Sequence, residues 1–385
     1  MADENPIFEQ VAQLASSDGA EAAVDTLITH LTANHEYHEL FEAKKMRLRL
    51  SLGLPAAQAQ HEERCDEELE LKLERGLLEA CREVGELFFA EGRVREGWMY
   101  LRPVGDREVA AKAIACVEPN DDNADELLEV LVHEGVDVAR GYQMALDRLG
   151  TCNSITLFES ALAARPREDQ KSAAGLLVRH VHRELVENLR GDIQRREGQA
   201  PSGSTAADLL ADRGDLLSDG TYHLDTSHLA STVRFARVLD DTEVLELARD
   251  IAYYGSKLHP QFQYPGEEPF LDLYPASLAF FGALLGDRVD AGIRFFQQKA
   301  DSVPQQDFGV VAVEVLIDLL SRCGRHEEAL AAYEKRLPAD ARTMGIAPTL
   351  LQLSQRLGNF DKMQSISRDR GDLLGFVAAT LQNNP

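Results

Sequence analysis

The chain has 385 residues, of which 65 are Asp or Glu and 40 are Lys or Arg, for a formal net charge of −25. This excess of acid disfavours binding to a nucleic-acid backbone, which needs clustered Lys and Arg to displace counterions, and disfavours anionic membrane surfaces. No stretch approaches the roughly 20 continuous apolar residues that span a bilayer, and the opening MADENPIFEQ lacks the basic and apolar regions of a secretory leader, so a cytoplasmic protein is expected.

Apolar residues recur at spacings of three and four, as in Val24, Leu27, Ile28 and Leu31, and no strand-like alternation is sustained, so the expected class is all-α. Residues 7–53 read as an entry helix, an amphipathic helix over Ala20–Ala33 and a longer one over Glu36–Leu52, stopped by Gly53 and Pro55. Residues 64–190 continue as helical pairs punctuated by Pro103–Gly105, Glu118–Asp122 and Arg165–Glu168. The polar stretch Glu197–Thr205 has the composition of a flexible loop. The expected organisation is an N-terminal hairpin region (1–55), helical repeats (56–196), a loop (197–205) and further repeats (206–385) with an aromatic insertion at 253–274. Acid concentrates in Glu62–Glu74, Glu118–Glu129 and Glu267–Asp272, where a solvated helix face is favoured over an acidic docking surface for a basic partner.

Two C-terminal stretches, Val313–Pro338 and Ala347–Ser367, superpose their apolar positions when Gly324 is aligned with Gly358, 34 residues on. In the first, Leu316 and Leu320 fill one helix, Gly324 the turn, and Ala329 and Tyr333 the small and large positions of the next; Pro338 closes the unit. In the second, Leu350, Gly358, Phe360 and Met363 repeat the scheme with Met in place of the small residue. Gly286, Arg288, Ala291 and Phe295 stand 38 residues before their counterparts, and Val84, Gly85, Phe88, Gly92, Val94, Gly97 and Leu101 reproduce the pattern near the other end. The pattern resembles the tetratricopeptide repeat. That resemblance implies an α-solenoid of antiparallel helical hairpins, each burying its apolar face on its neighbours, and a peptide or protein partner held on the concave face.

The polar residues between 150 and 275 break this register. Tyr222, His223, Asp225, Thr226, Ser227 and His228 crowd a turn ahead of the apolar run Leu229–Leu239, and His180, His182 and Glu184 share a helix upstream, with His180 and Glu184 on one face. Convergence of His180, His182, Glu184, His223, Asp225 and His228 would supply the nitrogen donors and charged oxygens that Zn, Fe or Mn requires. The competing reading makes this a capped turn, with Thr226 or Ser227 as N-cap and Asp225 bonding free backbone N–H groups. In Gly150–Thr156, Thr151, Cys152 and Asn153 either line a ligand groove or, through Asn153 or Ser154, cap the following helix. Cys152 serves as a nucleophile only with a base beside it. The aromatic stretch Tyr253–Tyr274, with His259 and Tyr264, reads equally as a lid near the His223 turn or as a packed insertion.

The five cysteines, Cys65, Cys81, Cys116, Cys152 and Cys323, are odd in number and form no CxxC pair, which argues against a disulfide framework and a thiolate zinc site. No GxxxxGK[ST], GxGxxG, HExxH or GxSxG motif is present, which sets aside the chemistries built on them. Two functions stand. One is a helical-repeat scaffold for a protein or peptide, with Asn, Lys, Arg or aromatic side chains facing its groove. The other is a metal-dependent enzyme, which requires the helices over 176–190 and 228–239 to be neighbours.

Overall fold

A computed structural model describes residues 6–57 and 66–383. Cys65, Glu62 and Glu63 lie outside them. Every regular element among the described residues is helical, so the class is all-α, and none of the helices is long and apolar enough to cross a membrane. The chain divides into two compact units, Met1–Arg148 and Leu149–Pro385, so that the stretch 197–205 falls inside the second.

The first unit opens with α1 (Pro6–Ser17), α2 (Ala20–Ala33) and α3 (Tyr37–Ser51), each packed on the next. Then comes α4 (Glu67–Ala90), started by Asp66, whose carboxylate accepts from Leu69 N at 2.8 Å, with Glu67, Glu68 and Glu70 favourably placed in its first turn. Its partner α5 (Val94–Leu101) returns after Gly92, whose φ of 76° is left-handed. The two helices touch closely because Gly85 carries no side chain: a Cβ there would stand 2.8 Å from Leu101 Cγ and 3.0 Å from Gly97 O. Tyr37, Leu40 and Ala43 pack on Val84 and Phe88, and Phe89, Val94 and Leu101 pack with Ile114, Leu127 and Leu131 from α6 (Arg107–Ile114), α7 (Ala124–Leu128) and the turn that follows.

Helix α8 (Val138–Leu157) is broken at Gly150, where φ is 76° and ψ is 176°. In the second unit the 31-residue α9 (Arg167–Glu197) is the axis on which α10 (Ala206–Leu210), α11 (Thr226–Phe235) and α12 (Thr242–Lys257) pack. The loop after α9 is fastened rather than loose: Arg190 donates to Gly203 O at 3.1 and 2.6 Å, and Thr205 with Asp208 forms a capping box at the start of α10. Helices α13 (Leu273–Leu284) and α14 (Val289–Ser302) form a hairpin through Gly286, φ 79°. After the short α15 (Gln305–Phe308), α16 (Val311–Arg322) and α17 (His326–Arg336) turn at Gly324, φ 75°; α18 (Leu350–Leu357) and α19 (Asp361–Asp369) turn at Gly358, φ 64°; α20 (Leu373–Asn383) packs on α19. Helix α14 packs on α16 and α17 on α18, so successive hairpins bury their apolar stripes against each other.

Candidate functional site

The break at Gly150, the middle of α9 and the turn before α11 enclose an open cleft of about 590 Å³. Thr151, Cys152, Glu184, Asn188, Tyr222, His223, Asp225 and His228 line it, and no Lys or Arg does. Arg183 Nη2 donates to His180 Nδ1 at 3.2 Å, which leaves the proton of a neutral imidazole on Nε2, 3.0 Å from Thr151 Oγ1 and 3.4 Å from Glu184 Oε1. Thr151 in turn donates to Glu184 Oε2 at 3.3 Å. The chain from imidazole to hydroxyl to carboxylate holds Glu184 at the cleft wall.

The structure divides the six metal-candidate residues between roles. His182 turns away from the cleft: it is buried, and its Nε2 lies 2.8 Å from Asp250 Oδ2. His223 uses both ring nitrogens inside the fold. Its backbone N donates to Tyr254 Oη at 2.8 Å, so the tyrosine hydroxyl turns its own proton to His223 Nδ1 at 3.0 Å, and Nε2–H reaches Asp192 Oδ2 at 3.2 Å. Burial pushes the His223 imidazole below its ordinary pKa, against the opposing pull of Asp192. Burial would raise Asp192, but hydrogen bonds from His223, Arg195 and Arg196 hold its carboxyl below the usual range. Asp225 is the N-cap of α11, its Oδ1 accepting from Ser227 N at 2.8 Å and Ser227 Oγ at 2.6 Å; Thr226 is therefore the first helical residue and not the cap. Helices α9 and α11 are neighbours, as a metal site required, but His182 and His223 are engaged inside the fold, and among the described residues no group of three or more His, Cys, Asp or Glu is placed to hold a metal ion.

The remaining candidates separate likewise. Thr151, Cys152 and Tyr222 reach the cleft, and Tyr222 is 50% exposed. Asn153 and Ser154 do not cap: they lie inside the helix, bonding back to Leu149 O and Gly150 O at 2.9 Å each. His259 caps the short turn Pro260–Phe262, accepting from Gln261 N at 3.4 Å, and Tyr264 is exposed; neither lines the cleft. The aromatic stretch is shorter as a loop than its composition implies, because Tyr253 and Tyr254 belong to α12 and Tyr274 to α13. Its Phe262 packs against Tyr222 with ring centroids 5.3 Å apart.

A second cavity, of about 470 Å³, went unseen in the sequence. Arg165, Arg167, Arg234 and Arg237 contribute to its wall together with Phe270, Leu273, Phe280, Val315 and Ile346. These positions, from Arg165 to Ile346, span 182 residues of chain and share no motif, so only the fold assembles them; the one local signal is Arg234 and Arg237 at i, i+3 beside apolar residues. Buried Glu314 accepts from Met344 N at 2.8 Å and Ile346 N at 3.2 Å and so pins the loop that closes one side.

No protein-family model matches the chain, and no curated protein or solved structure matches it either.

Proposed function

We propose that this chain is a hairpin-repeat protein of tetratricopeptide type, whose second unit binds a lysine- or arginine-bearing peptide segment of a protein partner in the cleft at Gly150. Three hairpins turning on left-handed glycines and packed in sequence support the repeat reading. The observation that carries the binding reading is the cleft's composition: carboxylates on Glu184 and Asp225 beside the half-exposed ring of Tyr222, with no Lys or Arg on the wall. The bonds that make Asp225 a cap all use Oδ1, and Oδ2 stays outside them. An aromatic anchor flanked by carboxylates suits the stem and cationic head of Lys or Arg. Asn188 and Tyr222 agree with the Asn and aromatic lining that the repeat implied; Lys and Arg do not line this wall.

The test is affinity by fluorescence polarisation for a short Lys/Arg-containing peptide and its Glu-substituted counterpart. Wild-type protein is expected to bind the basic peptide, more weakly as salt is raised, and to ignore the acidic one. Glu184→Gln and Tyr222→Ala each weaken binding, by roughly tenfold for the loss of one such contact. Equal binding of both peptides, or no effect of either substitution, counts against the cleft.

A further inference from the structure

We infer that the arginine-lined cavity of the second unit is a binding site for a small organic monocarboxylate with an apolar body. The site shares no lining residue with the cleft, so it stands apart from the peptide reading. Three of its arginines are already neutralised. Arg165 pairs with Asp169 at 2.9 Å, Arg167 with Asp318 at 2.9 Å, and Arg234 with both Glu159 and Glu267. Arg237 is different: its Nε and Nη2 are sealed from solvent and take no hydrogen-bond partner, and its guanidinium lies 5.2 Å from the centre of the Phe270 ring. Glu267 and Asp272 act on it only through space, so its fork has no bonded acceptor, and a carboxylate is the group whose two oxygens match it.

Charge and volume narrow the ligand. One guanidinium without a bonded acceptor, in a wall that already carries Glu267, Glu268 and Asp318, favours a single carboxylate over a phosphate dianion. Phe270, Phe280 and Val315 form an apolar part of the wall that suits an aliphatic chain or an aromatic ring, beside the polar Gln170, Glu267, Glu268 and Asp318. A volume of about 470 Å³ lies within the range of small-molecule sites, roughly 300–1,000 Å³. Burial also brings the Arg237 guanidinium down to about 10, against the opposing pull of Glu267 and Asp272.

Titration calorimetry with octanoate and 3-phenylpropanoate, against 1-octanol, octylamine and inorganic phosphate, tests this on the full chain. Saturable binding of at least one carboxylate is expected, tenfold or more tighter than the alcohol, with no binding of amine or phosphate. Arg237→Met should erase the preference for carboxylate over alcohol, and Arg237→Lys should keep part of it. Absence of saturable carboxylate binding, equal binding of the alcohol or amine, tighter binding of phosphate, or an unchanged preference in a folded Arg237→Met protein would each overturn the assignment. The comparison among ligands on the wild-type protein decides the question even where a variant does not fold.

Discussion

Asp250 of α12 receives His182 Nε2 at 2.8 Å while accepting the first two backbone N–H groups of α10, from Ala206 at 2.6 Å and Ala207 at 3.0 Å. One buried carboxylate thus joins three helices behind the cleft. Removing it orphans an imidazole and two backbone donors, whereas removing the imidazole leaves the carboxylate its backbone partners. Asp250→Ala is expected to destabilise by about 3–5 kcal/mol and His182→Ala by about 1–3 kcal/mol. Denaturant titration of the two variants checks the order; a larger loss for His182→Ala contradicts the division of roles.

His223 predicts a pH dependence. Its folded pKa lies below the ordinary 6.5 because burial disfavours the imidazolium. Between the folded and unfolded values the unfolded chain binds more protons, so this contribution to stability is full above about 6.5 and declines as pH falls through the folded value. The wild type is expected to lose more stability between pH 7 and pH 5 than His223→Asn, measured by thermal melting across that interval. A steeper loss in the variant reverses the sign and the explanation.

The hairpin glycines act through two different mechanisms. A Cβ at Gly292 would stand 2.8 Å from Ala279 O and 2.9 Å from Ala283 Cβ, so Gly292→Ala forces α13 and α14 apart and is expected to cost about 1–3 kcal/mol. Gly286 meets nothing within 4 Å but holds φ at 79°, so Gly286→Ala costs only backbone strain, about 1–2 kcal/mol. Crystal structures of both variants distinguish them: the interhelical distance grows in the first and stays fixed in the second.

Arg237 sets stability against binding. Its lowered pKa means the protonated form is less favoured in the folded chain than in the unfolded one, so at neutral pH the charge opposes folding. Arg237→Met is expected to melt higher than wild type, by the equivalent of about 1 kcal/mol, since a buried unpaired charge gives way to an apolar stem. A lower melting temperature would show that the guanidinium is satisfied after all.

How much was legible follows from which interactions are local. The spacing of three and four places α2 at Ala20–Ala33 to the residue, and Gly53 ends α3 within two positions, because amphipathic periodicity and helix-stopping glycines act within one or two turns. The cleft was half legible. Thr151, Cys152, Glu184, Tyr222, His223, Asp225 and His228 all reach it, yet their chemistry was not, because whether His223 faces a ligand or Asp192 and Tyr254 depends on contacts 31 residues away in each direction. Asn153 and Ser154 misled for a related reason: both favour caps, but here the helix starts at the Gly150 break and carries them inside. The arginine cavity draws on residues from Ala163 to Ile346 and left only the Arg234 and Arg237 pair in local pattern.

The cleft's role as a peptide site is tested most directly by mapping amide chemical-shift changes, or hydrogen-exchange protection, over the whole chain as the basic peptide is added. The expected result is a continuous footprint over Leu149–Cys152, Glu184–Asn188 and Tyr222–His228, lost in Glu184→Gln. A footprint elsewhere on the second unit, or on the first, with these three segments silent, would contradict it.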